Sequence, residues 1–229
     1  MNSFLANASF FGALLCLVCY FLGRALARRF PHPLMNPLLI AIVLCIAFLA
    51  VFRIDYDAWN VSASKLTWLL TPSTVALAIP LYEKIDLLRR HAGAVLLSIL
   101  AGSLTSGATV LALRLLCGLD ASEYVTLLPK SVTTAIGMPL AEQLGGMGAV
   151  AAIAIILTGL AGNVMAPALL KFVKVEDPIA RGLAIGTAAH AVGTARAIEL
   201  GEIEGAMSGL AIAVAGLMTA VIAPLFAII

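Results

Sequence analysis

The sequence predicts an all-α, polytopic integral membrane protein with six full spans and two re-entrant or broken helical segments arranged as inverted repeats. Three observations carry that prediction. Hydrophobic residues make up 62% of the 229-residue chain and charged residues only 11%, against roughly 45–50% and about 25% in soluble domains. At about 20 residues per span, the chain has room for seven or eight hydrophobic segments in one domain. Finally, a polar, proline- and glycine-broken stretch, Pro129 to Pro139, lies inside this apolar chain and has an echo at Gly186 to Gly201.

The echo has a register. Ala135-Ile136-Gly137 aligns with Ala191-Val192-Gly193 at an offset of 56, and Ala141, Leu144 and Gly145 align with Ala197, Leu200 and Gly201 at the same offset. Gly159-Leu160 then meets Gly216-Leu217, and Pro167 meets Pro224, at an offset of 57. The match is weak residue by residue, but its order is kept, and it reads as an internal repeat. The chain therefore divides into N-terminal spans (1–120), a first broken-helix repeat (121–175) and a second (176–229) within a single domain.

Taken in order, residues 8–27 form an apolar run closed by Arg24, Arg28 and Arg29. The positive-inside rule places that end in the cytoplasm and the N-terminus outside. Nothing before the run resembles the basic region of a cleaved leader, so it reads as a retained helix. A second run, about 35–52, leads to an outer interfacial loop with Arg53, Asp55, Tyr56, Asp57 and Trp59. Residues 64–83 cross back, interrupted at Thr71-Pro72 and Pro80, to the basic group Lys84, Arg89, Arg90 and His91. The fourth run, about 92–117, carries Ser98, Gly102 and Ser106 on one helix face, a pattern that favours close helix packing. Cys16, Cys19, Cys45 and Cys117 lie in or beside apolar runs and read as small hydrophobes.

Topology turns on residues 122–145. If they crossed the membrane once, Lys171 and Lys174 would end outside, against the charge rule. If they dip in and return, the next span (147–170) runs inward and both lysines become cytoplasmic. Pro129, Gly137, Pro139 and Gly145-Gly146 favour the return. Residues 179–201 are expected to dip in the same way from the opposite side, before a last span at 204–228. Broken backbone at membrane depth survives only where protein or a water-filled cavity covers it, and inverted repeats of this kind are a signature of secondary transporters.

The candidate substrate-binding residues follow from that plan. In the first repeat Lys130 is a counter-charge for an anion, or else an interfacial or structural cation paired with Glu142 or Glu199. Ser131, Thr133 and Thr134 supply hydroxyls at a broken helix start, as an anion cradle or as caps. In the second repeat Thr187, His190 and Thr194 are candidates: His190 for binding a carboxylate or carrying a coupling proton. Arg196 has the chemistry of a bidentate carboxylate binder, but its spacing from Glu199 equally suits an internal ion pair. Asn163 reads as a helix–helix hydrogen bond or a ligand contact. Glu142, Asn163 and Glu199 are thus structural or coupling candidates. No metal, cofactor or catalytic signature is expected: phosphate-binding glycine loop, paired-histidine zinc spacing and nucleophile elbow are all lacking from the sequence. Net charge +2, spread over short loops, excludes a nucleic-acid partner.

Asn36-Pro37-Leu38-Leu39, Pro72 to Glu83 (PSTVALAIPLYE), Leu128 to Thr134 (LPKSVTT) and Ala180 to Gly201 (ARGLAIGTAAHAVGTARAIELG), followed by Glu204-Gly205-Ala206, resemble the LrgB/CidB family of bacterial membrane proteins. The resemblance spans nearly the whole chain. Ala189 departs from it where the family often has serine, and Gly137-Met138 where Ala-Met is commoner. The resemblance implies a bacterial cytoplasmic (inner) membrane protein, described in that family as antiholin-like. Such proteins modulate murein hydrolases and autolysis with a small LrgA- or CidA-type partner. Related plastid proteins exchange glycolate and glycerate, and some bacterial relatives are linked to pyruvate. The expected function is a proton-coupled carrier of small monocarboxylates, with the bilayer, the carboxylate, an LrgA/CidA-type protein and a second copy of the chain as expected partners. The competing class is a non-transporting regulator of cell-wall hydrolases.

Overall fold

A computed structural model describes residues 10–30, 37–69, 72, 75, 82 and 85–228. Among them the chain is all-helical, in nine α-helices and one 3-10 turn. It forms two compact units, Met1–Ala76 and Leu77–Ile229.

The first unit contains α1 (Phe11–Arg29), α2 (Pro37–Val51) and α3 (Tyr56–Ala63), followed by the 3-10 turn Ser64–Leu69. Its core is Leu15, Cys19 and Ala41, with Phe48 and Trp59 against it. Gly12 lies so close to α3 that its backbone N–H donates to Ser62 Oγ at 2.6 Å. Cys19 is buried, Cys16 and Cys45 are half-buried, and all are free thiols.

The second unit contains α4 (Ile85–Cys117), α5 (Ala121–Leu127), α6 (Thr134–Gln143), α7 (Gly148–Phe172), α8 (Pro178–Leu200) and α9 (Glu202–Ala227). Long apolar helices form the frame, and their outward faces carry exposed Leu97, Leu116, Ile153, Leu157, Leu217 and Val221. That surface is stable only against lipid.

Among the described residues, four helices are long and apolar enough to cross a membrane: Phe11–Arg29, Ala92–Cys117 within α4, Gly148–Phe172 and Glu202–Ala227. These match four of the six expected full spans. The second expected span is a helix of 15 residues, about 22 Å long against a hydrocarbon core of roughly 30 Å. The third, at 64–83, lies largely outside the described residues, and its start is the 3-10 turn rather than α-helix.

The expected dip at 122–145 is a helical hairpin. Asp120 and Glu123 form a reciprocal capping box that starts α5 (Glu123 N–H to Asp120 Oδ1 2.8 Å; Asp120 N–H to Glu123 Oε2 3.0 Å). α5 has 7 residues and α6 has 10, about 10 and 15 Å, so neither crosses the bilayer alone. The hairpin's two ends meet. Ser122 Oγ donates to the Gly145 carbonyl at 3.3 Å, and Thr126 Oγ1 accepts from the Met147 N–H at 2.8 Å. Gly145, at φ +86°, supplies the left-handed turn that releases the chain into α7.

The second dip is hidden inside one continuous-looking helix. α8 begins at an Asp177 cap (Ala180 N–H to Oδ1, 2.8 Å) with Pro178 in its first turn. At His190 the backbone takes φ 41°, ψ −140°, and the helix reverses. A straight helix would set Ile185 and Gly193 about 12 Å apart along its axis. Instead a methyl built on Gly193 would sit 3.0 Å from Ile185 Cγ2 and 3.3 Å from its carbonyl oxygen.

The repeat seen in the sequence is a repeat in space. A methyl on Gly137 would lie 3.0 Å from the Pro129 carbonyl oxygen, the same relation at the same offset as Gly193 and Ile185. The contacts also cross reciprocally: Gly159 of α7 meets Val192 of the second hairpin, and Gly216 of α9 meets Ile136 of the first. The first hairpin opens at the N-terminal end of α7 and the second at its C-terminal end, so the two enter from opposite ends of one spanning helix. α4 lies alongside both. Val110 packs with Tyr124, Val125, Leu128 and Leu140 of the first, while Val95 and Ile99 pack with Leu183 of the second and with α9.

Candidate functional site: two hairpin turns at the middle of α4

The turns of both hairpins reach the same region of α4, near the middle of its Ala92–Cys117 span. Ser131 Oγ lies 3.0 Å from Ser106 Oγ. One helical turn away, the Thr187 methyl fills the space over Gly102, where an added Cβ would be 2.6 Å from Thr187 Cγ2. Ser131 and Thr187 are related by the repeat offset of 56, so each hairpin brings an equivalent hydroxyl residue to α4. Ile155 of α7 joins the turns on another side. Its carbonyl is 2.9 Å from His190 Nε2, and its Cδ1 lies 2.5 Å from where a Gly137 Cβ would be.

At the first turn, Lys130 is half-buried and donates to Ser131 Oγ at 3.1 Å and Ser106 Oγ at 3.3 Å. Its partners are therefore neutral hydroxyls, and neither Glu142 nor Glu199 reaches it. Glu142 packs against Gly148 at the open end of the hairpin. An ammonium within a membrane segment costs several kcal/mol unless hydrated or paired, so this cation is held short of a counter-charge. Thr133 is the N-cap position of α6 by backbone only: its carbonyl accepts from the Ile136 and Gly137 N–H groups at 2.9 and 2.8 Å, while its side chain makes no cap bond. Thr134 opens α6.

Beside this turn is a small cleft bounded by α4, the first hairpin and α9. Ser103, Ser106 and Ser131 lie along one part of it, Leu128, Ile222 and Phe226 along another. Ser103 is 6% exposed, and its hydroxyl has no hydrogen-bond partner. The Thr187 hydroxyl is also buried without one. Orphaned buried hydroxyls are uncommon because each forfeits about 1–3 kcal/mol of solvation.

The second turn is internally satisfied. His190 is 4% exposed. The Ile155 carbonyl can only accept, so Nε2 carries the proton of that bond. Thr194 Oγ1 lies 2.9 Å from the His190 carbonyl and 2.7 Å from Ser208 Oγ. Asn163 Nδ2 donates to the Val192 carbonyl at 2.8 Å, the helix–helix bond raised for it from the sequence. These bonds satisfy backbone groups freed by the break, as a reversal at membrane depth requires. Arg196 pairs with Glu199 on an exposed face. Arg181 faces buried Glu204 at 3.9 Å where the second hairpin opens.

Ser103, Ser106 and Thr219 line the cleft, and of these the sequence singles out only Ser106. The Ser98-Gly102-Ser106 stripe was read as packing, which holds for Gly102. The available signal was the three-residue spacing of Ser103 and Ser106, which puts two hydroxyls on one face of an otherwise apolar helix.

The fold and these turns define a helical membrane protein with two opposed helical hairpins around a polar centre. A sequence profile of the LrgB-like family matches residues 16–229, and the chain belongs to that family. Proteins named "Antiholin-like protein LrgB" from Bacillus mycoides (strain KBAB4), Bacillus cereus (strain B4264) and Bacillus anthracis (strain CDC 684 / NRRL 3495) are 37% identical over 221 residues, covering 95% of this chain and 95% of each relative. No solved structure matches the chain.

Proposed function

We propose that this chain is a secondary carrier of small monocarboxylates of the 2-oxo and 2-hydroxy class, such as pyruvate, glycolate and glycerate, coupled to protons. The observation that carries the reading is Lys130 at the turn of a re-entrant hairpin, solvated by Ser106 and Ser131 and lacking an acidic partner among the described residues. Opposed broken helices meeting near the middle of spanning helices are the architecture of alternating-access carriers. The proposal sets the protein in the bacterial cytoplasmic membrane with its N-terminus outside, as a homodimer working with an LrgA/CidA-type small membrane protein. It does not act as an enzyme.

The second reading rests on the relatives' name, antiholin-like: a regulator of murein hydrolases and autolysis that acts with the same partner. Purified protein in liposomes, with and without that partner, separates the two. The carrier gives saturable uptake of labelled pyruvate or glycolate, accelerated by an inward proton gradient and lost in Lys130→Ala. Dye leakage without substrate selectivity, indifferent to that substitution, supports the regulator.

A further inference from the structure

We propose that the small cleft between α4, the first hairpin turn and α9 is a binding site for one ordered water, which ties Ser103 of α4 and Thr219 of α9 into the hydroxyl shell of Lys130. Such a water completes the solvation of an ammonium inside a membrane segment. It is required whether or not the chain carries carboxylates.

Size and lining both fit a water. The free space in the cleft suits about one water molecule. The Phe226 ring closes one end, 3.0–3.1 Å from where a Cβ on Gly107 would be. The hydroxyls of Ser103, Ser106, Ser131 and Thr219 line the space, and a buried water needs about two to four polar partners.

The hydroxyl protons say what such a water does. Lys130 Nζ donates to Ser131 Oγ at 3.1 Å and to Ser106 Oγ at 3.3 Å, so both serines turn lone pairs toward the ammonium. The two hydroxyls are also 3.0 Å apart. Each has a single proton, so one donates to the other and the second proton has no acceptor among the described residues. The Ser103 proton has none either, in a residue only 6% exposed. On the same helix Thr105 and Thr109 return their protons to carbonyls four residues back, at 2.7 Å each, and Ser103 does not. An ammonium only donates, so the cluster is rich in donors and short of acceptors. One water oxygen accepts from two donors and meets both orphan protons. It donates in turn to Thr219 Oγ1, so α9 is joined through it to the hydroxyl pair that faces Lys130.

The test uses the purified full chain. A crystal or single-particle structure that resolves waters should show one peak at hydrogen-bond distance, about 2.7–3.0 Å, from both Ser103 Oγ and Thr219 Oγ1. Melting in nanodiscs gives a test of sign. With the water bound, Ser103→Ala removes one of its partners, and the melting temperature falls by about 2–4 °C. In a dry cleft the same substitution removes an unmet hydroxyl and leaves the melting temperature at or above the wild-type value. Thr219→Val should cost about as much as Ser103→Ala. The double variant should melt no lower than the weaker single one, because both act through one water, whereas independent losses add. No peak, a melting temperature for Ser103→Ala at or above wild type, or additive losses overturn the site. So does anomalous signal at the peak after chloride is exchanged for bromide, which would make the occupant an anion. If Ser103→Ala fails to fold, the peak and its response to bromide decide alone.

Discussion

The first hairpin turns at Lys130-Ser131, where the side chains reach outward to α4 beside a cleft. The second turns at His190, where the side chains and their neighbours reach inward to backbone carbonyls. Both reversals obey one plan, seen in the matched approach of Gly137 to Pro129 and of Gly193 to Ile185. They differ in how the freed backbone is satisfied. The first break is a turn of several residues, 128–133, between two helices. It carries its own backbone bonds (Lys130 N–H to Leu127 O, Val132 N–H to Pro129 O) and leaves its side chains available. The second break is a single residue at φ 41°, a conformation costing about 1–3 kcal/mol for a residue other than glycine. Bonds from Thr194 to its carbonyl, from Asn163 to the Val192 carbonyl two residues on, and from His190 itself to the Ile155 carbonyl hold it there. A duplicated fold thus separates a turn that presents chemistry from a turn that is fastened.

The largest effect should come from breaking the fastened side. A methyl on Gly186 already lies 2.8 Å from Ala211 Cβ and from Ser208 Cα. Gly186→Val is therefore expected to separate α8 from α9 at a cost above about 4 kcal/mol, seen as loss of a monodisperse peak in detergent. Next is Lys130→Ala on the presenting side. Pyruvate uptake should fall roughly tenfold to a hundredfold, while melting changes little because no ion pair is broken. His190→Ala keeps the strained backbone, removes its bond to the Ile155 carbonyl and leaves a cavity, so a loss of about 2–3 kcal/mol in stability is expected. Thermal melting should show it, and the remaining folded fraction should keep its substrate affinity. Arg196→Gln removes only an exposed i,i+3 pair and should change stability by less than about 0.5 kcal/mol. Equal stability losses in Lys130→Ala and His190→Ala would erase the contrast between the hairpins.

Much of this plan was legible in the sequence because the charge rule and the helix breakers agree. Lys171 and Lys174 demanded a return at 122–145, and Pro129, Pro139 and Gly145 supplied the means. The second return was legible only through its likeness to the first, since no proline or glycine stands at position 190. There the reversal depends on tertiary bonds from α7 and α9 that local propensity cannot reveal. The span count was legible in part. Pro37–Val51 is apolar throughout but only 15 residues long as helix, and composition measures greasiness better than helix length. The cleft was illegible because it joins residues from α4, the first hairpin and α9, and serines in a membrane helix read equally as packing.

The central claim is that the hairpins enter from opposite membrane faces and that each returns to its own side. Single cysteines at Glu123, Gln143, Glu176 and Glu202, in a chain whose native cysteines are replaced, test it most directly with a membrane-impermeant maleimide applied from each side. The account predicts that Glu123→Cys and Gln143→Cys label from one side, and Glu176→Cys and Glu202→Cys from the other. Labelling of Glu123→Cys and Gln143→Cys from opposite sides would contradict it.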